Sequence, residues 1–257
     1  MRKPIIRRFH LFFSSFFIFF IHIPFVFAKS KPLMVEPVSF PIAAMRSGLM
    51  AFSELMTEFE NKADNLYQSL RLNVLGYSQQ AFEYAITGLD KLVKMGKIEH
   101  PQILSIVDFS QPSSHKRMVV IDLQKKLVLF NTYVAHGRNS GNAFARDFSN
   151  APETNKSSLG FYETSHTYIG GNGYSLRLEG LEKGFNDNAA SRAIVVHGAA
   201  YVSASIAQQQ GYIGRSQGCP ALPLLQSKPI IDKIKNGTCL FVYSPNAQYI
   251  QQSKLLH

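Results

Sequence analysis

The chain has 257 residues, 46% of them hydrophobic, a formal net charge of +10 and two cysteines. That length suffices for one sizeable core, or for a catalytic domain with a helical appendage. The basic residues form no dense Lys/Arg tract, which argues against a nucleic-acid partner, and the absence of any His-x-x-x-His or Cys-x-x-Cys pair argues against a metal site.

Residues 1–28 read as a secretory signal peptide. Arg2, Lys3, Arg7 and Arg8 precede an apolar run from Phe9 to Phe27, and Val26-Phe27-Ala28 supplies the residues a signal peptidase reads. The rival reading is an uncleaved membrane anchor, because roughly 18 apolar residues can span a bilayer. Pro24 and the Val-Phe-Ala site favour cleavage. Either way the globular part is expected to be exported to the periplasm or cell envelope. With four basic and no acidic residues removed, the remainder carries +6, which suits an anionic envelope without demanding one.

Residues 29–45, punctuated by Pro32, Pro37 and Pro41, read as an extended leader. A helical region is predicted over 46–100. Leu49, Phe52, Leu55, Met56 and Phe59 recur at three- and four-residue steps, and Leu66 and Leu70 continue the stripe. After Gly76, a Ser78 cap begins a second helix through Ala81, Phe82, Ala85, Leu89, Leu92 and Val93, with Gly96 as its stop.

From residue 103 the period changes to that of strands. Ile103–Val107, Met118–Leu123 and Leu127–Ala135 are rich in Ile, Val and Leu, and Gln124-Lys125-Lys126 turns the last two into a hairpin. Residues 137–160 read as a long surface loop. Gly160–Thr164, Tyr174–Leu178, Ala193–Val196 and Leu240–Tyr243 supply further short strands, with a helix from about Leu224 to Lys235 before the last. The predicted class is α+β: a mostly β domain over 101–246, preceded by the helical region and followed by a tail, 247–257.

The chemistry concentrates at His197-Gly198 and Arg215-Ser216-Gln217-Gly218-Cys219-Pro220. A thiol needs a base or another pKa-lowering influence to be largely thiolate near neutral pH. His197 follows three β-favouring residues and is expected at a strand end, facing a cleft. The Gly198 carbonyl is free to hold one imidazole nitrogen in place of a carboxylate. Gly218 allows a tight turn at Cys219, where backbone N–H groups, with the Ser216 and Gln217 side chains, are candidate oxyanion donors. The residues alone leave two other readings open: a satisfied buried histidine, and a Cys219–Cys239 disulfide, although Cys239 sits in an apolar strand where it needs no partner. His115, His136 and His166 are scattered and read as surface or loop residues.

The segment His197-Gly198 … Arg215-Ser216-Gln217-Gly218-Cys219-Pro220-Ala221-Leu222 resembles the L,D-transpeptidase (YkuD-like) catalytic domain, in the branch described as murein L,D-transpeptidase catalytic domain proteins. Val120-Ile121-Asp122-Leu123, Thr132 to Gly141, Phe148-Ser149-Asn150, Ser157 to Tyr162 and Gly173 to Leu178 are similar to the same branch, so the likeness runs collinearly over roughly residues 80–245. It implies an exported enzyme acting on peptidoglycan stem peptides without a cofactor. Cys219 would attack the carbonyl of the third residue of a tetrapeptide stem and expel D-alanine. The thioester would pass to an amine of another stem. His197 would be the general base, the Gly198 carbonyl the third member, and Ser216 to Cys219, with Gly218, the oxyanion site. Gln217 stands where the wider family has a second histidine, so no titrating group occupies that position. Tyr201 and Arg215 flank the pair as candidate contacts for stem-peptide carboxylates or backbone. Hydrolysis of the same thioester, and a non-catalytic wall-binding role, are the alternatives.

Overall fold

The loop after residue 137 has to meet the segments that carry His197 and Cys219 for all three to share a cleft, and an eight-stranded sheet brings this about. The computed structural model describes residues 61–257. The expected signal peptide (1–28), the expected leader (29–45) and residues 46–60 of the predicted helical region lie outside them. Residues 61–69 are helical, and helix α1 follows over Gln79–Lys94. Ser78 caps α1, its Oγ accepting the Ala81 N–H at 3.2 Å, and so satisfies a donor the helix cannot use itself. The buried stripe of α1, which includes Phe82, Ala85, Leu89 and Leu92, packs on the sheet, so burial rather than propensity holds this helix.

The strands are β1 (Ile103–Asp108), β2 (Met118–Asp122), β3 (Leu127–Thr132), β4 (Gly160–Gly170), β5 (Gly173–Gly180), β6 (Val195–Ala199), β7 (Ala221–Pro223) and β8 (Cys239–Tyr243). Their order is β3-β2-β1-β8-β4-β5-β6-β7, with β1–β8 and β6–β7 parallel and the other pairs antiparallel. Beyond the end of β3, Ala135 bridges Ala221 of β7, its N–H donating to the Ala221 carbonyl at 2.8 Å. The two edges of the sheet therefore meet, and a nearly closed barrel leaves few edge groups unpaired. Strands β1, β2 and β8 are buried along their whole length, which explains their unbroken apolar runs.

Helices α2 (Ala204–Gln210), α3 (Leu224–Ile234) and α4 (Ala247–Gln252) complete the domain. Helix α3 packs against β6 and β7, directly behind the site. The mostly β, α+β architecture is the predicted one, but several local expectations differ. Strand β3 stops at Thr132, and β4 runs six residues past Thr164. The predicted surface loop after residue 137 is stapled from within: Ser140, Ser157 and Ser158 are buried, and the Ser157 N–H donates to Ser140 Oγ at 2.9 Å. Nor does the C-terminal stretch hang free as a tail. Tyr249 is fully buried, its hydroxyl donating to Glu182 at 2.8 Å, and the Ser253 hydroxyl donates to the same carboxylate.

Candidate active site

The turn that carries Cys219 is fixed by hydrogen bonds that do not involve the thiol. The Ser216 N–H donates to the His136 carbonyl at 2.9 Å, and the Arg138 N–H to the Ser216 carbonyl at 2.8 Å, so the turn is laced onto the chain beyond β3. The Ser216 hydroxyl donates to the Cys219 carbonyl at 2.7 Å and accepts the Gly218 N–H at 3.0 Å. Ser157 Oγ donates to the Gly218 carbonyl at 3.2 Å. Gly218 adopts φ +123°, which only glycine takes without strain, and a Cβ there would lie 2.9 Å from the Lys156 carbonyl oxygen. Ser216 therefore shapes the turn, and its hydroxyl is not a spare oxyanion donor. The Gly218 amide is likewise engaged. The Gln217 and Cys219 amides donate to no other residue among the described residues, the Cys219 amide facing its own thiol, and these two are left as the donors of this turn.

His197 sits in the middle of β6, paired with Ser175 on one side and Ala221 on the other, rather than at the strand end the sequence suggested. The parallel β6–β7 pairing places it across from the strand that directly follows Cys219-Pro220. Its Nδ1 lies 3.0 Å from the Gly198 carbonyl. A carbonyl can only accept, so Nδ1 carries the proton and Nε2 keeps its lone pair. Gly198 itself lies off the cleft: a Cβ there would meet Ser227 Oγ of α3 at 2.5 Å, so the close packing of α3 on β6 requires glycine.

His197 and Cys219 line one cleft of about 700 Å³ together with Tyr201, Arg215, Ser216 and Gln217, which brings six of the eight predicted site residues to one surface. The thiol is 9% exposed, accepts the Val195 N–H at 3.5 Å and points its own hydrogen at the Ala193 carbonyl, 3.7 Å away. No hydrogen bond joins it to the His197 ring in this resting arrangement. Burial pushes the Cys219 thiol up, opposed by the Val195 N–H and by Arg192. Burial also lowers His197, opposed by its bond to Gly198. Both shifts favour a neutral thiol beside a neutral imidazole. Cys219 and Cys239 are both free, so the disulfide alternative is not realised, and Cys239 is fully buried in β8.

Tyr201 faces the cleft with its hydroxyl pushed up to about 12, first by burial and then by Cys219. Arg215 Nη1 donates to the Gly141 carbonyl at 3.2 Å and to Asn142 Oδ1, pinning the loop that forms one wall. The Gln217 side chain is exposed and makes no hydrogen bond among the described residues.

Two residues at this site escaped the sequence reading. His136, expected on the surface, is fully buried: Arg117 Nη2 donates to its Nδ1 at 2.7 Å, its Nε2 donates to the Gly141 carbonyl at 3.2 Å, and its own carbonyl holds Ser216. Arg192 lines the cleft beside the thiol. Nothing local marks either residue, because their partners lie far away in sequence. Among the described residues no group of three His, Cys, Asp or Glu side chains is placed to hold a metal ion.

A barrel-like sheet with a cysteine in a glycine turn beside a strand-borne histidine is the arrangement the sequence likeness implied. The profile described as L,D-transpeptidase catalytic domain matches residues 74–243, and the chain belongs to that family. Among solved structures it is similar to an LD transpeptidase in complex with imipenem (15% identity over 55% of this chain and 59% of that one, TM-score 0.35). It is likewise similar to an L,D-transpeptidase from Mycobacterium smegmatis (15% identity, 56% and 59%, TM-score 0.35) and to one from Mycobacterium tuberculosis H37Rv (17% identity, 56% and 58%, TM-score 0.33). The chain thus spans less than two thirds of each of these proteins. No curated protein matches it.

Proposed function

We propose that the protein is an exported peptidoglycan L,D-transpeptidase that uses Cys219 as its nucleophile. The observation that carries this reading is the single cleft in which the Cys219 thiol faces the same space as His197, whose Nδ1 is occupied by Gly198 and whose Nε2 is left to accept a proton. Substrate binding draws the thiol from the Ala193 carbonyl toward Nε2. The Sγ–H proton passes to Nε2 as sulfur attacks the carbonyl carbon of the third stem residue. The oxyanion that forms is met by the Gln217 and Cys219 amides. As the C–N bond to D-alanine breaks, the imidazolium returns its proton to the leaving amine. An acceptor amine then attacks the thioester, giving up a proton to His197 and regenerating the thiol.

Gln217 can donate a hydrogen bond but cannot titrate, so proton transfer in this site rests on His197 alone. Arg215 and Tyr201, on the cleft wall, are the groups available to a stem-peptide carboxylate or backbone. Export follows from the basic start and apolar run of residues 1–28.

Defined tetrapeptide muropeptides incubated with purified protein test this reading. Crosslinked dimers with released D-alanine, lost in Cys219→Ala, are expected. Tripeptide as the sole product would replace transfer with hydrolysis, and unchanged substrate from folded protein would contradict both.

A further inference from the structure

Arg192 takes no part in the proton transfer proposed for His197 and Cys219, yet the fold sets it in the same cleft as the thiol. It lies in the turn that leads into β6 and lines the same cleft as Cys219. The two residues that contact the thiol, Ala193 through its carbonyl and Val195 through its amide, follow Arg192 in the same short segment. The guanidinium is held in place. Nη1 donates to the Ser149 carbonyl at 2.7 Å and to Ser158 Oγ, and Nη2 donates to the Lys156 carbonyl at 2.7 Å. Nη2 also lies 3.5 Å from where a Cβ on Gly218 would sit, against the turn that presents the thiol. All three acceptors are neutral, so the charge has no carboxylate partner among its hydrogen bonds and remains available to an anion forming next to it.

We propose that Arg192 is an electrostatic positioning residue of the acyl-transfer site, whose fixed guanidinium stabilises the Cys219 thiolate while His197 carries the proton away. The inference rests on the reading of Cys219 as nucleophile. It answers a difficulty in the resting site, where a buried thiol has no bond to its base. The charge interactions run the same way: burial raises the thiol while Arg192 opposes it, and burial lowers Arg192 while Cys219 opposes that. The other titratable groups lining the cleft are His197, Tyr201, Arg138, Arg215 and Glu153. His197 is held neutral at rest by burial, and Tyr201 is held protonated. Arg215 has its Nη1 committed to the 138–142 loop. Arg192 is the cation fixed against the nucleophile turn.

The test follows Cys219 alkylation by iodoacetamide between about pH 5 and 10 by intact mass, because the thiolate is the reacting species. Cys219→Ala serves as the blank for the buried Cys239. In Arg192→Gln the alkylation inflection should move up by about one unit, which slows alkylation near pH 7 about tenfold. Arg192→Lys should stay near the wild type. Arg192→Met is a second neutral variant should the glutamine fail to fold, with circular dichroism confirming the fold of whichever is used. A folded neutral variant with the wild-type inflection overturns the proposal, as does a lysine variant shifted as far as the glutamine. Failure of the wild type to take a carbapenem adduct contradicts the acyl-transfer reading instead, so the two failures are told apart.

Discussion

His136 offers the sharpest test of how the site is held, through acid. Arginine cannot donate to an N–H, so the Arg117 contact at 2.7 Å requires a lone pair on His136 Nδ1 and places the ring proton on Nε2, facing the Gly141 carbonyl. Protonating Nδ1 would set two cations against each other inside the domain. Burial, and then Arg117, accordingly lower His136 from 6.5 to about 4. The folded pKa lies below the unfolded one, so between these values the unfolded chain binds a proton that the folded chain refuses. Stability from this residue is complete above pH 6.5 and is lost as the pH falls toward 4. At 1.36 kcal/mol per unit, the difference between 6.5 and 4 corresponds to about 3 kcal/mol. Glutamine keeps one donor and one acceptor but does not titrate. Urea unfolding at pH 7, 5 and 4 should therefore show wild type losing about 3 kcal/mol more than His136→Gln across that range. Parallel losses in the two proteins would refute the assignment.

Gly218→Ala should strain the nucleophile turn by about 1–3 kcal/mol and slow carbapenem acylation about a hundredfold by displacing the thiol; acylation at the wild-type rate would contradict the role given to the turn. Tyr249→Phe removes a hydroxyl from the buried Glu182 carboxylate and should cost about 1–3 kcal/mol in thermal or urea unfolding, whereas an unchanged midpoint would show that α4 does not latch the domain. Cys239→Ala should leave the acylation rate and stoichiometry unchanged, since that thiol is buried in β8 and free; loss of labelling there would point to the wrong cysteine. The acid limb of the acylation rate should fall below the ordinary imidazole range, because burial lowers His197; a limb above that range would mean another base.

The central strands were legible because β1, β2 and β8 are buried on both faces and their sequences are unbroken apolar runs. Strand β7 was not, since three residues ending at Pro223 carry no alternation and pair only because β6 lies alongside. Helix α2 escaped for a similar reason, with Ala207 its one buried residue and a polar Gln208-Gln209-Gln210 end. The close backbone approaches beside His197 and Cys219 could be read from Gly198 and Gly218, where a side chain would not fit. His136 and Arg192 could not, because their roles depend on partners such as Arg117, Ser149 and Lys156 that the fold alone brings to them.

The central claim, that Cys219 is the acylated nucleophile of this family member, is tested most directly by intact mass after incubation with a carbapenem, whose strained β-lactam acylates an activated thiol. One adduct per chain is expected, absent in Cys219→Ala and formed about a hundredfold or more slowly in His197→Gln. An adduct that persists in folded Cys219→Ala, or none on the folded wild type, would contradict the account.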